Sequence, residues 1–234
     1  AGAAVDSAFA SLFLAANDFI AVADITGGLL KFTPGLNANG ANHASFTFQV
    51  QDDGGTANSG VDLDQSANTI TIDVTAVNDA PDGANKTVTT LEDTQYTFTA
   101  ANFGFTDPND APANSLLAVT ITTLPALGTL RLNGVAVTAG QSVTAADIAS
   151  NLLVWTPPAN ANGAAYANFT FQVQDNGGTA NGGIDLDASA NTMTIDVTSV
   201  NDAPAGANAT VTTLEDTAYT FTAANFGFTD PNDA

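Results

Sequence analysis

The chain has 234 residues, enough for one large domain or two ordinary ones, with 24 acidic side chains against three basic ones and a formal charge of −21. That excess works against a compact state unless cations neutralise it, and it argues against nucleic acid or an anionic membrane surface, since both require clustered Lys and Arg. The absence of cysteine excludes disulfides and thiolate metal sites, no apolar run is long enough to span a bilayer, and a 44% hydrophobic content argues against disorder.

Before about residue 20 only apolar spacing is recognisable. The chain opens mid-pattern, which predicts a fragment or processed product whose targeting signal lies elsewhere. From there its organisation is that of a repeat. Residues 44–111 align without gaps on residues 167–234, and ten of these 68 positions differ. The match reaches back weakly, placing Asp24-Ile25 on Asp147-Ile148 and Lys31-Phe32-Thr33-Pro34 on Val154-Trp155-Thr156-Pro157. The period of 123 residues is the size of a whole domain rather than of one solenoid coil. Val77-Asn78-Asp79-Ala80-Pro81 returns as Val200-Asn201-Asp202-Ala203-Pro204 and reads as the seam. With Pro81 and Pro204 opening repeats, residues 1–80 are the C-terminal part of one repeat. Residues 81–203 form a complete repeat, and 204–234 begin a third.

In the complete repeat, Thr87–Leu91 and Tyr96–Thr99 are β-branched and aromatic, as strands prefer. Asn102 to Asp110 ends in turn chemistry. Leu117–Thr122 alternates with period two. Gly128–Leu132 and Val135–Val137 flank Asn133-Gly134 and predict a hairpin. One short helix is expected around Ala145–Ile148, followed by a strand Leu152–Trp155. In Asn168–Gln174, Phe169, Phe171 and Val173 face one side and the polar residues the other. Thr192–Thr198 alternates again and runs into the second seam. Seven or more short strands separated by turns predict an all-β fold of tandem antiparallel β-sandwich repeats with period 123.

The carboxylates fall on loops and strand ends. Oxygen ligands without cysteine suit a hard cation, and calcium takes six to eight of them from flexible loops. The expected first site combines Asn78, Asp79, Glu92, Asp93, Asp107 and Asp110 with Asp52 from the preceding repeat. The second combines Asn201, Asp202, Glu215, Asp216, Asp230 and Asp233 with Asp175. Asp53 is weaker, because its counterpart is Asn176. The competing reading is that these are solvated turn formers; the mutual repulsion of so many carboxylates favours calcium. Asp185 and Asp187, like Asp62 and Asp64, read either as a second site or, preferably, as edge charges that block strand pairing.

Leu91-Glu92-Asp93-Thr94, Phe105–Asp110, Phe171–Asp175 and Val200–Pro204, in this order, resemble the cadherin-like tandem repeats of large secreted (RTX/type I secreted) bacterial adhesins. The stretch Gly128-Thr129-Leu130 through Val143–Ile148 to Trp155-Thr156-Pro157 resembles the chondroitin-sulphate-proteoglycan type of cadherin-like repeat. The resemblance implies a cadherin-like or Ig-like sandwich, calcium near domain junctions, the ligands already named, and export by a Gram-negative bacterium. The long period and the Thr179–Asn191 segment depart from that pattern.

Catalysis finds little support. His43 is the only histidine, its counterpart is Tyr166, and it reads as a surface loop residue. No Ser or Cys nucleophile has a repeated His base. Trp155 sits in an apolar run and reads as core rather than as a sugar platform. The expected function is therefore a non-enzymatic, calcium-stabilised extracellular extender or stalk repeat of a giant adhesin or surface filament. Its partners would be neighbouring repeats or adjacent identical chains, with surface glycans or proteins as further candidates. Two alternatives are a carbohydrate- or partner-binding accessory domain of a secreted enzyme and a filament subunit assembled by strand complementation.

Overall fold

The computed structural model describes residues 15–230. The chain forms two compact units, residues 1–78 with 180–182 and residues 79–179 with 183–234. In the first, a single exposed helical turn, α1 (Val22–Thr26), precedes an antiparallel pair, β1 (Gly40–Phe48) and β2 (Asn68–Val74).

The second unit is an all-β sandwich. One sheet holds β3 (Lys86–Leu91), β5 (Leu116–Ile121), β8 (Gln141–Thr144), β10 (Gly163–Asp175) and β11 (Asn191–Thr198), in the order β3-β11-β10-β5-β8. The other holds β4 (Tyr96–Thr97), β6 (Thr129–Leu132), β7 (Val135–Ala136) and β9 (Leu153–Thr156), in the order β4-β9-β6-β7. A short helix, α2 (Ala145–Ala149), follows β8, with Thr144 and Asp147 closing a capping box at its start.

The core follows from strand alternation. Along β10, Ala167, Phe169, Phe171 and Val173 are buried, and along β11 Met193, Ile195 and Val197. Phe98 and Phe103 meet them edge-to-face: Phe98 lies 5.5 Å from Phe169 and Phe103 lies 4.9 Å from Phe171. Trp155 is fully buried, and its indole N–H donates to the Leu127 carbonyl at 3.2 Å.

Three expectations need correction. The pairing of β3 with β11 is parallel, with Thr87 beside Thr194 and Leu91 beside Thr198. The reason is the chain path. The first and last strands of this repeat both run from the pole where the chain arrives to the pole where it leaves, so side by side they must be parallel. Gln141–Thr144, for which no strand was expected ahead of the helix, is a strand on the edge of the large sheet. His43 lies on β1 rather than in a loop and packs edge-on at 6.3 Å from Phe32.

Gly128 and Gly134 both hold positive φ, 72° and 78°. A Cβ on Gly128 would stand 2.5 Å from the Trp155 ring, whereas nothing lies within 4 Å of one on Gly134. Gly134→Ala should therefore cost only the strained backbone, about 1–2 kcal/mol. Gly128→Ala should add overpacking of about 1–3 kcal/mol. Chemical denaturation of both variants checks this, with equal losses contradicting it.

Candidate functional site

The acidic loops gather at the two poles of the second unit. At the N-terminal pole, Asp82 and Thr106 exchange backbone bonds of 2.8 Å, pinning the start of the repeat to the loop after Phe105. The Asp79 N–H donates to Asp110 Oδ2 at 3.0 Å. Asp187 is almost fully buried and accepts three donors: the Gly83 N–H at 2.9 Å, the Ser189 N–H at 2.9 Å and Asn191 Nδ2 at 2.6 Å. Asp175, also buried, accepts the Gly177 N–H at 2.8 Å. Next to it, Asn176 and Ser115 bond each other, which brings Asn114 and Asp107 to the same pole. Asp107 Oδ2 accepts the Asn114 N–H, while Asp107 Oδ1 is buried without a hydrogen-bond partner in a residue only 7% exposed.

At the C-terminal pole, the Glu92 N–H donates to the Thr198 carbonyl at 2.9 Å, continuing the β3–β11 ladder. The Glu92 carboxylate is buried and accepts the Val200 N–H and, at 3.2 Å, Asn162 Nδ2. Asp93 holds φ 56° and accepts the Asn160 N–H at 3.0 Å. These bonds span up to 108 residues of sequence, so each carboxylate ties a distant loop to the sheet.

The expected site sets therefore regroup. Glu92 and Asp93 do not join Asp79, Asp107 and Asp110, because β3 carries them to the opposite pole. Asp175 does not join the Asn201–Asp202 seam. It ends β10, which runs antiparallel to β11, and so returns to the pole of Asp107. Asp52 and Asn78 belong to the first unit, where Asp52 accepts the Gly54 N–H at 2.8 Å, as Asp175 accepts that of Gly177. Glu215, Asp216 and Asp230 lie in a stretch that copies the start of the complete repeat: Asp216 again holds φ 56°, and Ala205 and Thr229 form the bridge equivalent to Asp82–Thr106. Asp233 lies outside the described residues. Among the described residues, no three carboxylates or imidazoles gather closely enough to hold a metal ion. Within the complete repeat, the described residues fit a cation best at the buried Asp107 oxygen that has no hydrogen-bond partner; Asp52, Glu92, Asp93, Asp110 and Asp175 are already engaged by N–H donors.

Two kinds of acid were misread or missed. Asp187 is a buried anchor, not an edge charge, and Asp64 repeats its bonds to Ser66 and Asn68. The Ser66 N–H holds the Asp64 carboxyl below its ordinary range. The signal was present in Asp-X-Ser-X-Asn, an Asx-turn pattern. Asp196 accepts the N–H of Ala165, which sits at φ 48° in a register shift of β10, and Asp73 does the same for Asn42.

Residues 78–187 match a family model described as bacterial Ig domain. No curated protein and no solved structure matches the chain. The match supports an Ig-like repeat over this stretch; domains of that description are usually extracellular or surface-exposed and typically non-catalytic. Among the described residues no helix is long and apolar enough to cross a membrane.

Replacing Asp187 by Ala leaves the Gly83 and Ser189 donors without their acceptor. The expected loss is about 1–3 kcal/mol for each donor that stays buried. Asp185→Ala, at a half-buried side chain bonded only through Gln174 Nε2, should stay within about 1 kcal/mol. Urea midpoints of the two variants check the contrast.

Proposed function

We propose that this chain is a non-enzymatic extracellular stalk segment, built from Ig-like sandwiches joined in series and stiffened by calcium. One observation carries the reading: the complete repeat receives the chain at one pole and releases it at the other, with its first and last strands parallel. That path suits a module whose task is to extend. The near-identical copies on either side, the match to a bacterial Ig domain and the charge of −21 support the same reading. The cadherin-like motifs extend it to an adhesin or surface filament.

Calcium supplies positive charge between carboxylates that otherwise repel. Asp107 is the proposed anchor, because a buried carboxylate oxygen without a donor is costly unless a cation meets it. Calcium accepts loop carbonyls and water as readily as carboxylates, so convergence of three acids is not required. The accessory-domain alternative needs an exposed aromatic platform. Among the described residues, the complete repeat buries or half-buries all of its aromatic rings, and Trp155 is fully enclosed.

The test is thermal melting and small-angle scattering of the protein and of Asp107→Asn, each with calcium and with chelator. Extracellular calcium modules bind at about 10⁻⁴–10⁻³ M. Calcium at a hundredfold excess over Kd stabilises by about 2.7 kcal/mol, which raises Tm by a few degrees. Asp107→Asn should lose most of that rise. Identical melting and identical maximum dimension in calcium and chelator would sink the calcium reading.

A further inference from the structure

The parallel strands that carry the chain through the repeat also lie along the line on which a stalk is pulled. β3 is the outermost strand of the large sheet, and its ladder partner is β11. Six residue pairs register between them, from Lys86 beside Met193 to Leu91 beside Thr198. Tension draws β3 toward the N-terminal pole, where residue 82 enters, and β11 toward the C-terminal pole, where residue 199 leaves. The two strands are then sheared along their length. Their hydrogen bonds run across the pull, so they must yield together rather than in turn.

Bonds beyond the ladder lengthen this junction at both ends. At the N-terminal pole the Gly83 N–H donates to Asp187 Oδ2 at 2.9 Å, and the Thr192 N–H donates to Asn85 Oδ1 at 2.7 Å. At the C-terminal pole the Glu92 N–H donates to the Thr198 carbonyl at 2.9 Å, and the Val200 N–H donates to Glu92 Oε1. Each of the four ties residues 83–92 to residues 187–200, the two segments that tension drives apart. Two of the acceptors are buried carboxylates, whose bonds are about twice as strong as neutral ones. Gly83 is fitted to its lock. A Cβ there would stand 2.6 Å from Asn191 Nδ2 and 3.0 Å from Asp187 Oδ2, so a larger residue would push the backbone off the acid.

We propose that β3, β11 and the four end bonds form a load-bearing clamp, and that residues 107–186 lie outside the loaded path while it holds. Load enters before β3, crosses directly to β11 and leaves after it. The Asp82–Thr106 exchange adds two backbone bonds at the entry. The loops that carry Asp107, Asp110 and Asp175, and the strand that carries Trp155, are shielded. The repeat therefore resists without lengthening until the clamp shears, and then frees its whole length at once. This inference rests on the stalk reading for its purpose and on the strand pairing alone for its mechanism.

The absence of native cysteine lets single-molecule pulling handles attach through introduced thiols. Asp82→Cys with Ser199→Cys loads β3 and β11 in shear. Asp82→Cys with Ser189→Cys grips both strands at the N-terminal pole and unzips them bond by bond. All three side chains are exposed, so the two double variants should melt alike. In the full chain with chelator present, the shear pair should rupture at roughly twice the force of the unzipping pair or more, since forced unfolding follows the barrier along the pulled direction. Rupture should come in one step, and the 117 residues from 82 to 199 should release about 350–400 Å. Glu92→Gln keeps the side chain's shape but removes its charge. It should lower the shear force and leave the unzipping force unchanged, because its lock sits at the far end of the unzipped pair. Equal forces in the two directions, release in several steps, or a shear force indifferent to Glu92→Gln would each overturn the clamp. None of these readouts involves calcium, so a failed clamp leaves the calcium reading standing, and identical melting in calcium and chelator leaves the clamp standing.

Discussion

The parallel pairing of β3 with β11 is the constraint on which the rest of the structure depends. It places arrival and departure of the chain at opposite poles, which is what joining domains in series requires. It also decides where every acid lies. Glu92 follows Asp79 by 13 residues, yet β3 carries it the length of the sandwich. Asp175 is 96 residues beyond Asp79, yet the antiparallel turn of β10 brings it back.

The second constraint is the accounting of loop N–H groups. An Ig-like sandwich has long connections at both poles, and loops there must satisfy their backbone donors without a ladder. This chain uses carboxylates. Asp187 holds Gly83, Glu92 holds Val200, Asp93 holds Asn160, and Asp196 holds Ala165. A chain with three basic residues has few ion pairs to offer, so most of these acids find N–H donors instead. What is left over is the Asp107 oxygen without a hydrogen-bond partner and the uncompensated net charge, and the calcium proposal is addressed to these two.

Much of the fold was legible in the sequence because alternation reports which face is buried. Phe169, Phe171 and Val173 on β10, and Met193, Ile195 and Val197 on β11, declare themselves. So does the Asn133-Gly134 turn, whose two positive φ values fit the hairpin. Strand direction is not carried by alternation, and so the parallel pair was not visible. Gln141–Thr144 is an edge strand with only Val143 fully buried, too weak a pattern to separate from the helix it precedes. The acids were legible as a class but not as groups, because nearness in sequence at a seam is not nearness in space across a strand. Asp187 shows the limit most clearly. Its Asx-turn signature is local and readable, but its bond to Gly83, 104 residues away, is not.

The claim that the acids divide between two poles is open to one direct measurement. Spin labels placed through Thr94→Cys and Asn109→Cys, in a chain with no native cysteine, sit beside Asp93 and Asp110 respectively. The account predicts a separation of about 20 Å or more, the length of the intervening strand. A separation of about 10 Å, as a single shared acidic site would give, would contradict it.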